Sequence, residues 1–208
     1  MSANLPEQYR RALSREEINA LPISRYEGRV CLVASPRELE RAAAELLQER
    51  VIGFDTETRP AFRVGEHHPP ALVQAAGAQT VYLFSLRARE VLPLVAALLA
   101  SRSTHKAGVG LADDVKALQR LVQFEAQALV DLGAIARRQG LEKSSVRALA
   151  ALFLGIRIPK GSKTSNWAAA RLSPQQITYA ATDAWVCRAL YLRFSALGLL
   201  DAAACPPA

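Results

Sequence analysis

Four acids and one tyrosine, spread over three segments, have the types and spacing for metal-assisted chemistry at phosphorus. Asp55 and Glu57 stand in VIGFDTET, Asp114 in KAGVGLADDVKAL, and Tyr179 and Asp183 in LSPQQITYAATDAW. Carboxylates supply the hard oxygen donors that Mg2+ prefers. Two such ions can stabilise the attacking and leaving oxygens of a displacement at a phosphodiester. A phenol beside them can orient the attacking water.

Each signal alone is modest. On a strand, Asp55 and Glu57 share a face because side chains alternate with period two. Two neighbouring acids raise each other's pKa unless a cation neutralises them. The same Asp-x-Glu at a strand end also reads as an ordinary solvated turn. Asp114 falls in the first turn of a helix, where the macrodipole favours an acid whatever its function. Asp113 beside it meets the same spacing. Tyr179 and Asp183 are four apart on a helix and share one face. The surrounding YAATDA is small and apolar, so that face points inward. A buried carboxylate then needs a partner or a metal. Tyr179 by itself also fits plain core packing.

The elements that must position these residues follow from apolar runs and caps. Arg29 to Ala34 reads as a first strand. Ser35 as N-cap and Pro36 at the first helical position open a helix through Arg50. Val51 to Phe54 is a short apolar strand ending at Asp55. Ala71 to Ala76 and Thr80 to Leu86 are two more strands joined by a turn at Gly77, giving a three-strand meander. Glu90 to Ala100 is a helix, Thr104 to Gly108 a strand, and Leu111 to Val122 a helix carrying Asp114. Val130 to Gln139 runs from strand into helix, and Ser144 caps a helix to Leu154. Ser173, Pro174 and Gln176 form a capping box that opens the last long helix, to about Leu197. Strands followed by alternating helix and strand argue for an α/β domain around one mixed sheet.

The chain has 208 residues, half of them hydrophobic, enough for one substantial core. The expected division is an N-terminal arm over 1–28, one domain over 29–200 and a tail over 201–208. The longest apolar run, Val91 to Ala100, is broken by Pro93 and too short to span a bilayer. The N-terminus is polar and charged, unlike a signal peptide. Cys31, Cys187 and Cys205 form no CxxC pair, which fits buried or incidental thiols in a reducing compartment. The expectation is a soluble cytoplasmic protein with no membrane segment. His67 and His68, in GEHHPP, read as a loop tip rather than a metal pair.

Net charge is +7 and the isoelectric point about 9.7. Arg137, Arg138, Lys143, Arg147, Arg157, Lys160, Lys163 and Arg171 face Glu142 alone in their stretch. Eight against one leaves an excess equal to the whole net charge. Such a stripe suits a polyanion, and it also fits a solvated helix face.

Taken together, the motifs resemble the DEDD superfamily of 3′–5′ exonucleases in its tyrosine subtype. They are most similar to the Werner-type exonuclease domain and more distantly to ribonuclease D. FDTET matches the first motif. GVGLADDVKAL resembles the second, and its Asp-x-x-x-Leu spacing selects Asp114 over Asp113. YAATDA matches the third. KGSKTSNW with the following LSPQQ, and the run DTETRPAFRVG…ALVQ from Asp55 to Gln74, are also similar to the Werner type. The resemblance covers roughly residues 30 to 197. No histidine stands five residues before Asp183, where Thr178 is found, which argues against a polymerase proofreading subunit.

The resemblance implies an α/β, ribonuclease-H-like mixed sheet flanked by helices. It implies two divalent cations, Mg2+ or Mn2+, about 4 Å apart. Asp55, Glu57 and Asp183 would hold one, Asp55 would bridge to the second, and Asp114 would hold that one. Tyr179 would orient the water. The partner would be the 3′ end of DNA or RNA, met by Lys160, Lys163, Asn166, Trp167 and Arg171 in the loop before the last helix. Trp167 suits either a stacked base or a buried loop anchor. A lone catalytic domain would gain affinity as a homo-oligomer or through an accessory protein. Two other readings stay open: a nucleic-acid-binding module with vestigial nuclease activity, and a phosphohydrolase of small nucleotides, which would not need the basic stripe.

Overall fold

The computed structural model of the chain describes residues 5–63, 65–159 and 165–200. Six strands form one sheet in the order β1-β4-β3-β2-β5-β6. They are β1 (Arg29–Val33), β2 (Val51–Thr58), β3 (Pro70–Ala76), β4 (Thr80–Ser85), β5 (His105–Gly108) and β6 (Leu129–Asp131). The meander β2-β3-β4 is antiparallel. β1 joins β4 in parallel on one side, and β5 and β6 continue β2 in parallel on the other. This is the mixed sheet expected from the sequence.

Helices cover both faces. On one face lie α2 (Pro36–Leu46), α3 (Leu92–Ala100) and α4 (Leu111–Gln119). Their apolar residues bury Phe54, Val73, Ala75, Tyr82 and Phe84. On the other face lies the long helix α7 (Pro174–Ala196), opened by the expected Ser173–Gln176 capping box. Toward β6, α5 (Leu132–Arg138) and α6 (Val146–Leu149) pack against its C-terminal half, with the π-helical segment Ala150–Leu154. The N-terminal segment, with α1 (Arg15–Ala20), lies on the same side. There Tyr9 stacks on Phe153 at 4.8 Å and accepts a hydrogen bond from Arg193. No helix among the described residues is long and apolar enough to cross a membrane.

Four boundaries differ from the sequence reading. β2 does not end at Asp55. Antiparallel pairing with β3 carries it on to Thr58, with Asp55 opposite Gln74 and Glu57 opposite Leu72. Its pairing with β5 stops at Gly53, so Asp55 and Glu57 run past the end of that neighbour. α2 stops at Leu46 rather than Arg50, because the Arg50 carbonyl already accepts from His105 in the sheet ladder at 2.8 Å. α4 stops at Gln119 rather than Val122, where the Leu121 and Val122 N–H groups both turn onto the Leu118 carbonyl. Ser145, not Ser144, caps α6 by accepting from Ala148. The Ser144 hydroxyl accepts from Arg137 at 2.9 Å instead.

What brings α7 onto β2 is the absence of a side chain at Gly53. A methyl group there would overlap the Ala184 carbonyl oxygen and lie 2.7 Å from the Arg188 nitrogen. Ala180, Ala181 and Ala184 keep the helix surface equally low. Arg188 then fixes the docking by donating to the Val51 carbonyl at 3.2 Å and pairing with Glu49 at 3.4 Å. Gly53→Ala should therefore push α7 off the sheet and cost about 2 kcal/mol or more. Thermal melting would detect it, and an unchanged melting temperature would refute the close approach.

Candidate active site

Three of the five residues singled out by sequence converge on the α7 face of β2. Asp55 and Glu57 project from alternate positions of the strand, and Asp183 from the helix above Gly53. One carboxylate oxygen from each lies within 4.8 Å of the others. Asp183 is 8 % exposed, and the two strand acids are half-buried. Tyr179, one turn before Asp183, lies beside it and packs on Trp167 with ring centroids 6.0 Å apart.

Asp114 comes from the opposite face. Thr56, between the two strand acids, points away from them, and its hydroxyl donates to Asp114 at 2.5 Å. Asp113 faces solvent near Lys116. The structure thus draws Asp114 rather than Asp113 toward the trio. The turn before α4 is held from below by Asp131, whose carboxylate accepts from Gly110 at 3.1 Å and from Ala134 at 2.9 Å. Gly110 has a positive φ of 76°, a backbone that glycine adopts without strain.

The acids disturb one another. Burial, then Asp183, Glu57 and Asp114, push the Asp55 carboxyl well above the ordinary range. Burial followed by the charges of Asp183 and Asp114 raises Glu57 to about 8. Burial raises Asp183 to about 6, against the pull of Tyr179 and Arg147. Burial raises Asp114 too, opposed by the Thr56 hydroxyl. Burial and the Asp183 charge raise the Tyr179 phenol, so it keeps its proton at neutral pH. Acids at such spacing favour a positive charge between them, and a carboxylate set of this kind suits a hard divalent cation.

A cavity of about 560 Å³ opens next to Tyr179 and Asp183. Trp167, Gln176 and Ser165 line it from the loop and helix start, and Arg25 lines it from the N-terminal segment. Of the residues expected to meet nucleic acid, Lys160 and Lys163 lie outside the described residues. Asn166 and Arg171 are exposed. Trp167 is only 5 % exposed, as a loop anchor would be. Two basic residues near the acids were not singled out. Arg147, part of the basic stripe, interacts with Asp183. Arg25 is carried in by a segment tied to α7 through Tyr26 N–H and the Thr182 hydroxyl at 3.0 Å; no sequence signal marks it. Thr56 was legible in principle, as the middle residue of an alternating Asp-Thr-Glu. His68 pairs with Glu66 at 2.9 Å in the β2–β3 loop, and neither histidine joins the acidic trio.

A family model described as a 3′–5′ exonuclease matches residues 30–197. The chain is 30% identical over 179 residues to the mouse (Mus musculus) bifunctional 3′–5′ exonuclease/ATP-dependent helicase WRN. That match takes in 83% of this chain and 12% of the relative. It is 31% identical over 194 residues to the human (Homo sapiens) exonuclease mut-7 homolog, across 79% of this chain and 22% of that protein. The chain therefore spans less than a quarter of either relative. Among solved structures, the Nibbler EXO domain of Aedes aegypti superposes with a TM-score of 0.74 at 20% identity, covering 84% of this chain and 92% of that one. At that identity the likeness concerns the fold.

The raised carboxyls fix a pH response. In the unfolded chain these acids titrate near 4, whereas folded Asp183 and Glu57 hold protons to about 6 and about 8. Between those limits the folded chain binds more protons, so stability falls as pH rises. Thermal melts in chelator should drop from pH 5 to pH 8.5. At pH 8, Mn2+ at a hundredfold its dissociation constant should restore about 5–10 °C. A flat profile with no metal response would contradict the buried acidic cluster.

Proposed function

Because the chain belongs to the 3′–5′ exonuclease family, we propose that it hydrolyses phosphodiester bonds from the 3′ end of DNA or RNA and releases 5′-mononucleotides. The observation that carries the reading is the trio Asp55, Glu57 and Asp183, within 4.8 Å of one another, with Asp183 lining a cavity that Tyr179 also lines. Both segments of that trio lie inside the matched region.

In this reading Asp55, Glu57 and Asp183 would hold one Mg2+ or Mn2+, and Asp114, with Asp55, would hold a second. Bound there, such ions would supply an activated water at neutral pH and stabilise the leaving oxygen. The protein's own groups do the positioning. Thr56 keeps Asp114 turned toward β2 through its hydroxyl. Tyr179, protonated at neutral pH, acts as a hydrogen-bond partner that orients the attacking water rather than as a base. The buried α7 face limits bulk water around Asp183.

Substrate contacts fall to the basic stretch before α7. Lys160, Lys163, Asn166 and Arg171 meet backbone phosphates in this proposal, and Trp167 forms part of the cavity wall. Contacts of this kind are sequence-independent and weaken as salt displaces them. Cys31 and Cys187 are buried thiols, compatible with the reducing cytoplasm to which we assign the protein. A second copy or an accessory protein would supply affinity that one small domain lacks.

The test is a time course on 5′-labelled single-stranded DNA, recessed-end DNA and RNA with Mg2+, Mn2+ or chelator. A ladder shortening from the 3′ end is expected with metal only, and Asp55→Ala should abolish it. Salt-sensitive binding without shortening in any metal would favour a binding module with vestigial chemistry. Tyr179→Phe should lower the rate by about 100-fold while Mn2+ affinity stays within about twofold. Loss of metal binding in that variant would assign the phenol a different role.

A further inference from the structure

β3 carries another polar side chain on the face of the acids. Gln74 is fully buried, 0 % exposed, and stands directly opposite Asp55 in the antiparallel β2–β3 pair. Directly opposed residues on such strands point to the same face, with Cβ atoms about 5 Å apart. Apart from the acids Glu57 and Asp183, the other neighbours on that face are apolar. Leu72 and Ala76 flank Gln74 along β3, Leu83 is its partner on β4, and α7 contributes Ala180, Ala181 and Ala184.

Neither amide atom of Gln74, Oε1 or Nε2, has a hydrogen-bond partner. A primary amide carries two N–H donors and two acceptor lone pairs, and burying one unpaired is unfavourable. A leucine or methionine would fill the same volume without that cost. Strand pairing sets the Asp55 carboxylate directly across from it, with Glu57 on the diagonal and so further away. At that Cβ separation a glutamine amide is within reach of an opposed aspartate.

We propose that Gln74 is a positioning residue for the cation site: its Nε2–H donates to a carboxylate oxygen of Asp55 and fixes how Asp55 presents its oxygens to a divalent cation. The inference rests on the reading of Asp55 as a metal ligand. Glutamine suits the task because it is neutral. A lysine or arginine would compete with the cation for Asp55, and another acid would add to the repulsion. Partners of this kind hold ligating groups in orientation, and losing one weakens metal affinity about 10- to 100-fold.

The test measures Mn2+ binding by calorimetry, without nucleic acid, to the unmodified chain, Gln74→Met and Asp55→Asn. Gln74→Met should bind about 10- to 100-fold more weakly while melting, in chelator, at or above the temperature of the unmodified chain. Equal affinity in Gln74→Met and the unmodified chain would overturn the inference and leave the cation site standing. No binding by the unmodified chain, or no difference from Asp55→Asn, would overturn the cation site and the inference together. Should Gln74→Met melt well below the unmodified chain, the Gln74 side-chain amide resonance of the unmodified chain decides. It should move downfield on adding Mg2+ and stay fixed in Asp55→Asn; no movement in the unmodified chain overturns the proposal.

Discussion

The close approach of a helix to a strand at Gly53 is the constraint on which the rest depends. Without a side chain there, the Ala184 carbonyl and the Arg188 nitrogen of α7 come into contact with β2. Packed interiors do not yield to an extra methyl group without shifting backbone. Asp183 sits one residue before Ala184, so the contact that docks the helix also sets the height of its acid above Asp55 and Glu57. Arg188, one turn further on, anchors the same helix to the Val51 carbonyl and Glu49. Docking and site assembly are one event.

That assembly works against electrostatics. Asp55, Glu57 and Asp183 meet where burial raises the pKa of all three, and repulsion from neighbouring acids adds to the rise at Asp55 and Glu57. The fold tolerates this repulsion because two of its apolar layers lie away from the acids. One fills the space between the sheet and α2, α3 and α4, and another joins β5 and β6 to α5, α6 and the C-terminal half of α7. Natural proteins commonly give up stability at the site where function is carried out. Here the sacrifice is confined to the end of β2 that extends past β5.

The basic residues divide between structure and site. Arg157 donates to Asn19 at 3.4 Å and Lys143 to the Leu13 carbonyl at 3.4 Å, helping to seat the N-terminal segment. Arg147 instead stands near Asp183, and Arg25 lines the neighbouring cavity. A charge count along the chain therefore overstates how much of the stripe is open to a polyanion. Positive charge close to the acids comes from two segments more than a hundred residues apart.

The sequence by itself determined the elements and the list of acids, because those depend on local chemistry. Short apolar runs marked β2 and β3, and Ser173-Pro174-Gln176 marked the start of α7. The motif spacing picked out Asp55, Glu57, Asp114, Tyr179 and Asp183. Where the expectation erred, the cause was tertiary. β2 outran its apolar run because β3 continued to pair with it, and α2 stopped early because Arg50 was already bonded into the sheet. The family motif already selected Asp114 over Asp113, but only the tertiary structure supplied the contact that holds Asp114 inward, the hydroxyl of Thr56, 58 positions away. It also decided that Arg25 and Arg147 lie near the site, and that the buried amide of Gln74 lies across from Asp55. Contacts of that kind depend on strand register and helix docking, which join residues distant along the chain and leave no mark in the local pattern of either segment.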